Sequence, residues 1–190
     1  PEHCSPVYGE GDGRRMRLQQ GYVLQCDQLR PQSRGEIKLH SLNPDDRPAA
    51  HFNYLKHPDD LKEMVEGMRM MEDLLNQPAF DAFRGERIEP YPGLQSDQEL
   101  ANWVRANVST DYHPSGTCRM GSDSRCVVDS ELRVHGIERL RVVDASIMPD
   151  IVSGNLNAPT QMIAERAADC ILGQKQLAPQ SAPYHFLANH

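Results

Sequence analysis

Aromatic side chains are scarce, 6% of the 190 residues with Trp103 as the single tryptophan. Basic residues are also outnumbered, 20 Lys and Arg against 27 Asp and Glu, for a formal charge of -7. A nucleic-acid-binding chain needs a basic face, so that class is excluded. Long apolar runs are absent, and charges soon interrupt the short ones, so no transmembrane segment is expected. The five cysteines, Cys4, Cys26, Cys118, Cys126 and Cys170, form no C-x-x-C and have no nearby His-x-x-x-His. Neither a metal site nor a secreted disulfide framework is indicated, and reduced thiols inside a cell are the expectation. The start, PEHCSPVYGEGDGRRMRLQQ, lacks both a signal-peptide core and transit-peptide character, and it reads as a cut end.

What is present is organised. Residues 1–20 are polar and glycine-rich and read as a loop or a truncated insertion. GYVLQCDQLR at 21–30 alternates in the manner of a strand, with Tyr22, Leu24 and Cys26 on one face. GEIKLHS repeats the alternation with Ile37 and Leu39 inward, and AAHFNYL at 49–55 supplies a third strand of an antiparallel sheet. From Asp59 the spacing of Leu61, Met64, Val65, Met68, Met71, Leu74 and Leu75 becomes helical, with Asp60 and Glu63 placed for a capping box. A second helix fits 96–108, capped by Ser96 and Glu99 and lined by Leu100, Trp103 and Val104. RCVVDS and ERLRVVDAS read as strands, and a last helix begins at Asn157, as cap, and runs to Leu172. The tail 174–190 has little periodicity.

Two stretches concentrate chemistry. In DYHPSGTCRMG, residues 111–121, Pro114 biases His113 toward extended backbone while Gly116 and Gly121 permit sharp turns. Such a loop aims a histidine, and either a hydrogen-bonded loop residue or a catalytic base satisfies this stretch. In VVDASIMPDIVSGNLNAPTQMIAER, residues 142–166, a strand and turn lead to a helix start preceded by Gly154-Asn155-Leu156-Asn157. Unpaired amides and the helix dipole suit that end to an anion or electron-rich carbonyl, although Asn157 can equally serve only as a cap.

YHPSGTCRMG, with VVDSELRVHGIERLRVVDASIMPDIVSGNLNAPTQMIAERAAD after it, resembles the C-terminal signature of the glucose-methanol-choline (GMC) oxidoreductases. The likeness extends upstream through RPQSRGEIKLHSLNPDDRPAAHFNYL, NQPAFDAFRGERIEP and SDQEL, and so covers residues 21–173. Within the family it is to the members that oxidise choline to betaine aldehyde, the first step of glycine betaine biosynthesis.

The resemblance implies an α+β fold: the antiparallel sheet of the GMC substrate domain with packed helices, plus a C-terminal strand-loop-helix that completes an FAD site. It divides the chain into a substrate domain at 21–125, a flavin-contacting segment at 126–173 and a C-terminal tail at 174–190. It also implies roles. His113 matches the active-site histidine and Asn155 the second catalytic position. Asp144 and Ala145 match the strand-turn against FAD, and Asn157, Pro159 and Thr160 the helix start near the flavin pyrimidine ring. The expected partners are FAD, a small alcohol, choline, and an N-terminal FAD-binding half. The expected location is intracellular, peripheral to the inner membrane.

One departure qualifies this. No G-x-G-x-x-G opens a strand-turn-helix, since GEGDGR at 9–14 has Arg14 in place of the third glycine. The expectation is therefore a C-terminal portion that does not bind FAD tightly and is inactive in isolation. The competing reading is a non-catalytic binding module that keeps the substrate-domain fold. Hydrolysis through Ser115 or Cys118 with His113 lacks a G-x-S-x-G elbow.

Overall fold

A computed structural model describes residues 21–87, 94 and 96–181. The segment 1–20, GEGDGR within it, and the tail beyond Ser181 lie outside the described residues. Two compact units divide the chain, one ending at Asp111 and the other beginning at Tyr112. The elements are a mixture of α and β: strands β1 (Glu36–Lys38) and β2 (Ala49–His51), and helices α1 (Pro58–Leu75), α2 (Asp97–Asn107) and α3 (Asn157–Leu172).

The first unit is built on α1 and α2. Their apolar stripes bury Val65, Met68, Leu100, Ala101 and Val104, with Leu61, Met64, Met71 and Trp103 packed around them. Full burial of a side chain such as Leu100 contributes about 2 kcal/mol. Helix α2 starts as its sequence dictates: the Ser96 side chain accepts from the Glu99 amide, and the Glu99 carboxylate accepts from the Ser96 amide. Helix α1 starts differently. Pro58 occupies the first turn, and His57 is the cap, its Nδ1 accepting from the Asp59 amide. The expected Asp60/Glu63 box does not form because the Asp60 carboxylate, buried at 1% exposure, is committed to the chain before the helix. It accepts from the Gln32 amide at 2.7 Å, the Ser33 amide at 2.8 Å and Gln28 Nε2 at 3.0 Å.

That chain continues from the segment 21–30, which is not a strand. Leu24, Cys26 and Gln28 are half-buried in alternation while Tyr22, expected on the same face, is exposed, and Cys26 and Gln28 meet α1 at Gly67 and at Asp60 and Glu63. Cys26 packs on Gly67 so closely that a Cβ there would collide with its sulfur. A helix beneath an extended segment offers side chains to pack on and no free backbone groups to pair with, so the segment stays unladdered.

The sheet is smaller than expected. Strands β1 and β2 pair antiparallel with Ile37 opposite Ala50, as a two-stranded ribbon. Ile37 and Leu39 do not face inward, being 50% and 77% exposed, because among the described residues nothing covers either face of the ribbon. The 49–55 strand stops at His51 as the chain turns through left-handed backbone at Asn53 and Leu55.

In the second unit Val128, Leu132, Ile147 and Ala167 form the core, with Val134, Val142, Val143 and Ile163 around them. The β-branched runs expected as strands make isolated bridges instead: Met120 with Val128, Val128 with Val134, and Arg133 with Arg141. Left-handed backbone at Leu132, Gly136 and Arg139 bends the chain before any ladder can extend. Helix α3 ends on Gly173, whose φ of 66° lets Gln174 donate back to the Asp169 carbonyl. Among the described residues no helix is long and apolar enough to cross a membrane.

Candidate active site

Backbone geometry aims His113. Tyr112 before it has φ of +62° and Gly116 after it +82°, so the chain reverses sharply on both sides of the imidazole. Beyond the turn the chain is anchored by three backbone bonds, from Gly116 to Ala145, from Cys118 to Ser146 and from Met120 to Ile147, at 3.3, 2.9 and 2.8 Å. A Cβ at Gly116 would sit 3.2 Å from the Met148 carbonyl, so a glycine there serves the approach as well as the φ.

Ala145–Ile147 is itself a short 3-10 turn held by Asp144. The Asp144 carboxylate accepts from the Ser146 amide at 2.7 Å, which leaves its backbone extended and its carbonyl accepting from Ile147. From this turn the chain passes Met148 and the loop 149–155 to α3. Asn155 lies at the end of that loop, and its amide Nδ2 is 2.8 Å from Nε2 of His113, a contact between residues 42 positions apart. With the amide donating, Nε2 presents its lone pair and Nδ1 carries the proton. In this arrangement the amide occupies the Nε2 lone pair, so Nε2 can take a proton, and the amide orient an oxygen, once the amide turns away from the ring.

Asn157 does not cap α3. The cap position is Leu156, no side chain bonds the first turn, and the Asn157 Oδ1 instead accepts from Gln161 Nε2 at 3.1 Å. This helix start thus keeps donor character at its end, which suits an electron-rich edge of a bound group. Pro159 and Thr160 stand half-buried in the same first turn, where Thr160 donates to the Leu156 carbonyl. All seven residues singled out from the sequence lie in the second unit. His113 and Asn155 are joined directly, and the segment of His113 is joined to Ala145. The Asp144 carboxylate and the Asn157 amide are engaged within their own turns. Among the described residues no cluster of His, Cys, Asp and Glu is arranged to hold a metal ion.

Sequence reading missed Arg119. Its Nη2 donates to both carboxylate oxygens of Asp123, at 2.6 and 2.7 Å. Hydrogen bonding to Asp123 pushes the guanidinium pKa up, and the same bond, with the Arg125 amide, holds the Asp123 carboxyl below its usual range. The only signal in the sequence was the spacing R-x-x-x-D, which outside a helix carries no expectation.

Residues 31–164 match the family model described as GMC oxidoreductase. The chain is 44% identical over 187 residues to the oxygen-dependent choline dehydrogenase of Escherichia coli O139:H28, covering 98% of this chain and 34% of that protein. Among solved structures it resembles pyridoxine 4-oxidase from Mesorbium loti, with a TM-score of 0.72 at 30% identity over 78% of this chain and 29% of that one. It also resembles the formate oxidase of Aspergillus oryzae RIB40, an FAD protein, with a TM-score of 0.71 at 34% identity over 76% of this chain and 26% of that one. The chain thus spans about a third of the length of the curated relatives it matches.

Proposed function

This chain belongs to the GMC oxidoreductase family, and from that membership we propose that it is the C-terminal portion of an FAD-dependent alcohol dehydrogenase that oxidises choline to betaine aldehyde. The observation that carries the reading is the bond between His113 and Asn155, two residues far apart in sequence whose functional groups meet at 2.8 Å on a tethered loop. When bound, FAD would supply the acceptor for the hydride of the alcohol carbon. His113 takes the hydroxyl proton at Nε2 as general base. Asn155 turns its amide from Nε2 to the alcohol oxygen and orients it without adding charge.

Asp144, Ala145, Asn157, Pro159 and Thr160 hold the cofactor in this reading. The support is the donor end of α3 with no side-chain cap, which stabilises negative charge without reorganising. The functional division of the chain, substrate-facing to about residue 125 and flavin-contacting from 126 to 173, falls inside the second unit. Without a G-x-G-x-x-G the chain itself binds FAD weakly and turns over no alcohol, and the N-terminal half of the parent supplies the adenosine site. The parent works inside the cell, at the periphery of the inner membrane.

Anaerobic mixing of the flavin-loaded parent with choline, and separately with glucose, methanol and pyridoxine, tests the reading. Bleaching of the flavin by choline at the highest kcat/KM is expected. Preference for another alcohol would overturn the substrate, and no bleaching by any alcohol would overturn the reaction class.

A further inference from the structure

The segment carrying His113 is held along both sides. On one side are its bonds to Ala145, Ser146 and Ile147. On the other, Val127 donates to the Arg119 carbonyl at 3.0 Å, and Gly121 donates to the Val128 carbonyl at 3.0 Å. The intervening turn, 121–126, is closed by Asp123. Its carboxylate accepts from the Arg125 amide at 2.8 Å, and its carbonyl accepts from the Cys126 amide at 3.0 Å. Both carboxylate oxygens also hold Arg119, whose side chain is only 27% exposed.

Arg119 is thus on the segment of His113, and its side chain ties that segment to the 121–126 turn. We propose that Arg119 is a positioning residue: its two-pronged bond to Asp123 stiffens the segment of His113 where that segment is bonded to residues 145–147, the turn from which the loop of Asn155 departs, and so sets the 2.8 Å approach of Nε2 to the amide. The role rests on reading His113 and Asn155 as the reacting pair, but its structural content is independent of turnover. An exposed ion pair adds little to stability, so its loss is read in geometry first. A displacement of about 1 Å in a catalytic group is enough to cost roughly a hundredfold in rate.

The test is long-range nitrogen–proton NMR on the full 190-residue chain and on its Arg119→Ala and Asp123→Asn variants, beside thermal melting. The unsubstituted chain is expected to show His113 as one tautomer, proton on Nδ1, with the two Asn155 amide protons well separated in shift. In both variants the ring nitrogens should average between tautomers and the Asn155 amide protons should move to solvent-exposed values, with melting nearly unchanged. An unaltered His113 tautomer and Asn155 amide in folded Asp123→Asn protein would overturn the proposal, whether or not Arg119→Ala folds. A failure of the alcohol reaction leaves this spectrum untouched, so the two readings fall separately.

Discussion

The Asn155 amide nitrogen stands 2.8 Å from His113 Nε2, although the loops that bear them are separated by most of the second unit's core residues in sequence. The contact depends on the tethers that bring residues 116–120 beside 145–147, and hence on Gly116. At φ of +82° any side chain is strained, and a Cβ there would press within 3.2 Å of the Met148 carbonyl. Gly116→Ala should destabilise the chain by about 1–3 kcal/mol. It should also weaken the His113–Asn155 bond, seen as a lowered melting temperature together with a changed Asn155 amide shift. A melting temperature equal to that of the unsubstituted chain would show that the turn relaxes without cost.

Asp60 gives the second prediction. Burial pushes its carboxyl up, but hydrogen bonds from Ser33, Gln32 and Gln28 outweigh that and hold it below the usual carboxylate range. A carboxyl depressed in the folded state stabilises fully above its unfolded pKa of about 3.9 and loses that contribution as pH falls through the lower folded value. Urea unfolding should therefore show stability dropping in acid, and Asp60→Asn should flatten that part of the profile. Asp60→Ala, which orphans the amides of Gln32 and Ser33, should cost about 3 kcal/mol at neutral pH.

The third concerns α2. Ser96 and Glu99 satisfy each other's amides in a reciprocal cap. Ser96→Ala should cost about 1 kcal/mol, and adding Glu99→Ala should cost less than the sum of the two single changes, because the partner is already lost. Denaturant midpoints of the two single variants and the double variant give the coupling directly.

How far these features were legible in the sequence differs by kind. Helices α1 and α2 were written in the recurrence of Val65, Met68, Leu100 and Val104, because a helix needs only its own backbone and one apolar stripe. The α2 cap was legible for the same reason, being local. Strands were not, since Leu24 and Cys26 alternate whether the segment meets another strand or, as here, a helix; the pattern records an extended chain with one covered side and says nothing of what covers it. Asp60 reads as part of a helix start because a capping box and a long-range clasp use the same residue at the same place. The meeting of His113 and Asn155 was reached through family likeness alone, for no spacing predicts a contact across 42 positions. Arg119 and Asp123 carried only an R-x-x-x-D spacing, which outside a helix carries no expectation.

The fourth prediction follows from the missing glycine fingerprint. Titrating FAD into the 190-residue chain at micromolar protein should give no saturable change in flavin fluorescence. The donor end of α3 alone contributes too little to hold a dinucleotide. Tight, stoichiometric binding would mean that the adenosine site is built by residues other than a G-x-G-x-x-G turn.

The last prediction separates the two readings of His113 that its loop allows. A packing histidine acts through stability, so its loss lowers the melting temperature and leaves the rate per folded molecule alone. A base acts on the reaction, and its loss typically lowers the rate by about two to four orders of magnitude. His113 is only partly buried, and the turn around it is held by backbone bonds from Gly116, Cys118 and Met120, none of which uses the imidazole. Replacing the ring should therefore leave the loop in place. In the flavin-loaded parent, His113→Ala should slow flavin reduction by alcohol within that range while bound flavin and melting temperature stay nearly unchanged. Asn155→Ala should act in the same direction and less severely, because orientation of the oxygen is lost while a base remains. Stopped-flow absorbance follows the reductive step apart from reoxidation, so a slow acceptor cannot imitate the effect. Reduction at the unsubstituted rate in the His113 variant would return the imidazole to a structural role and require another base.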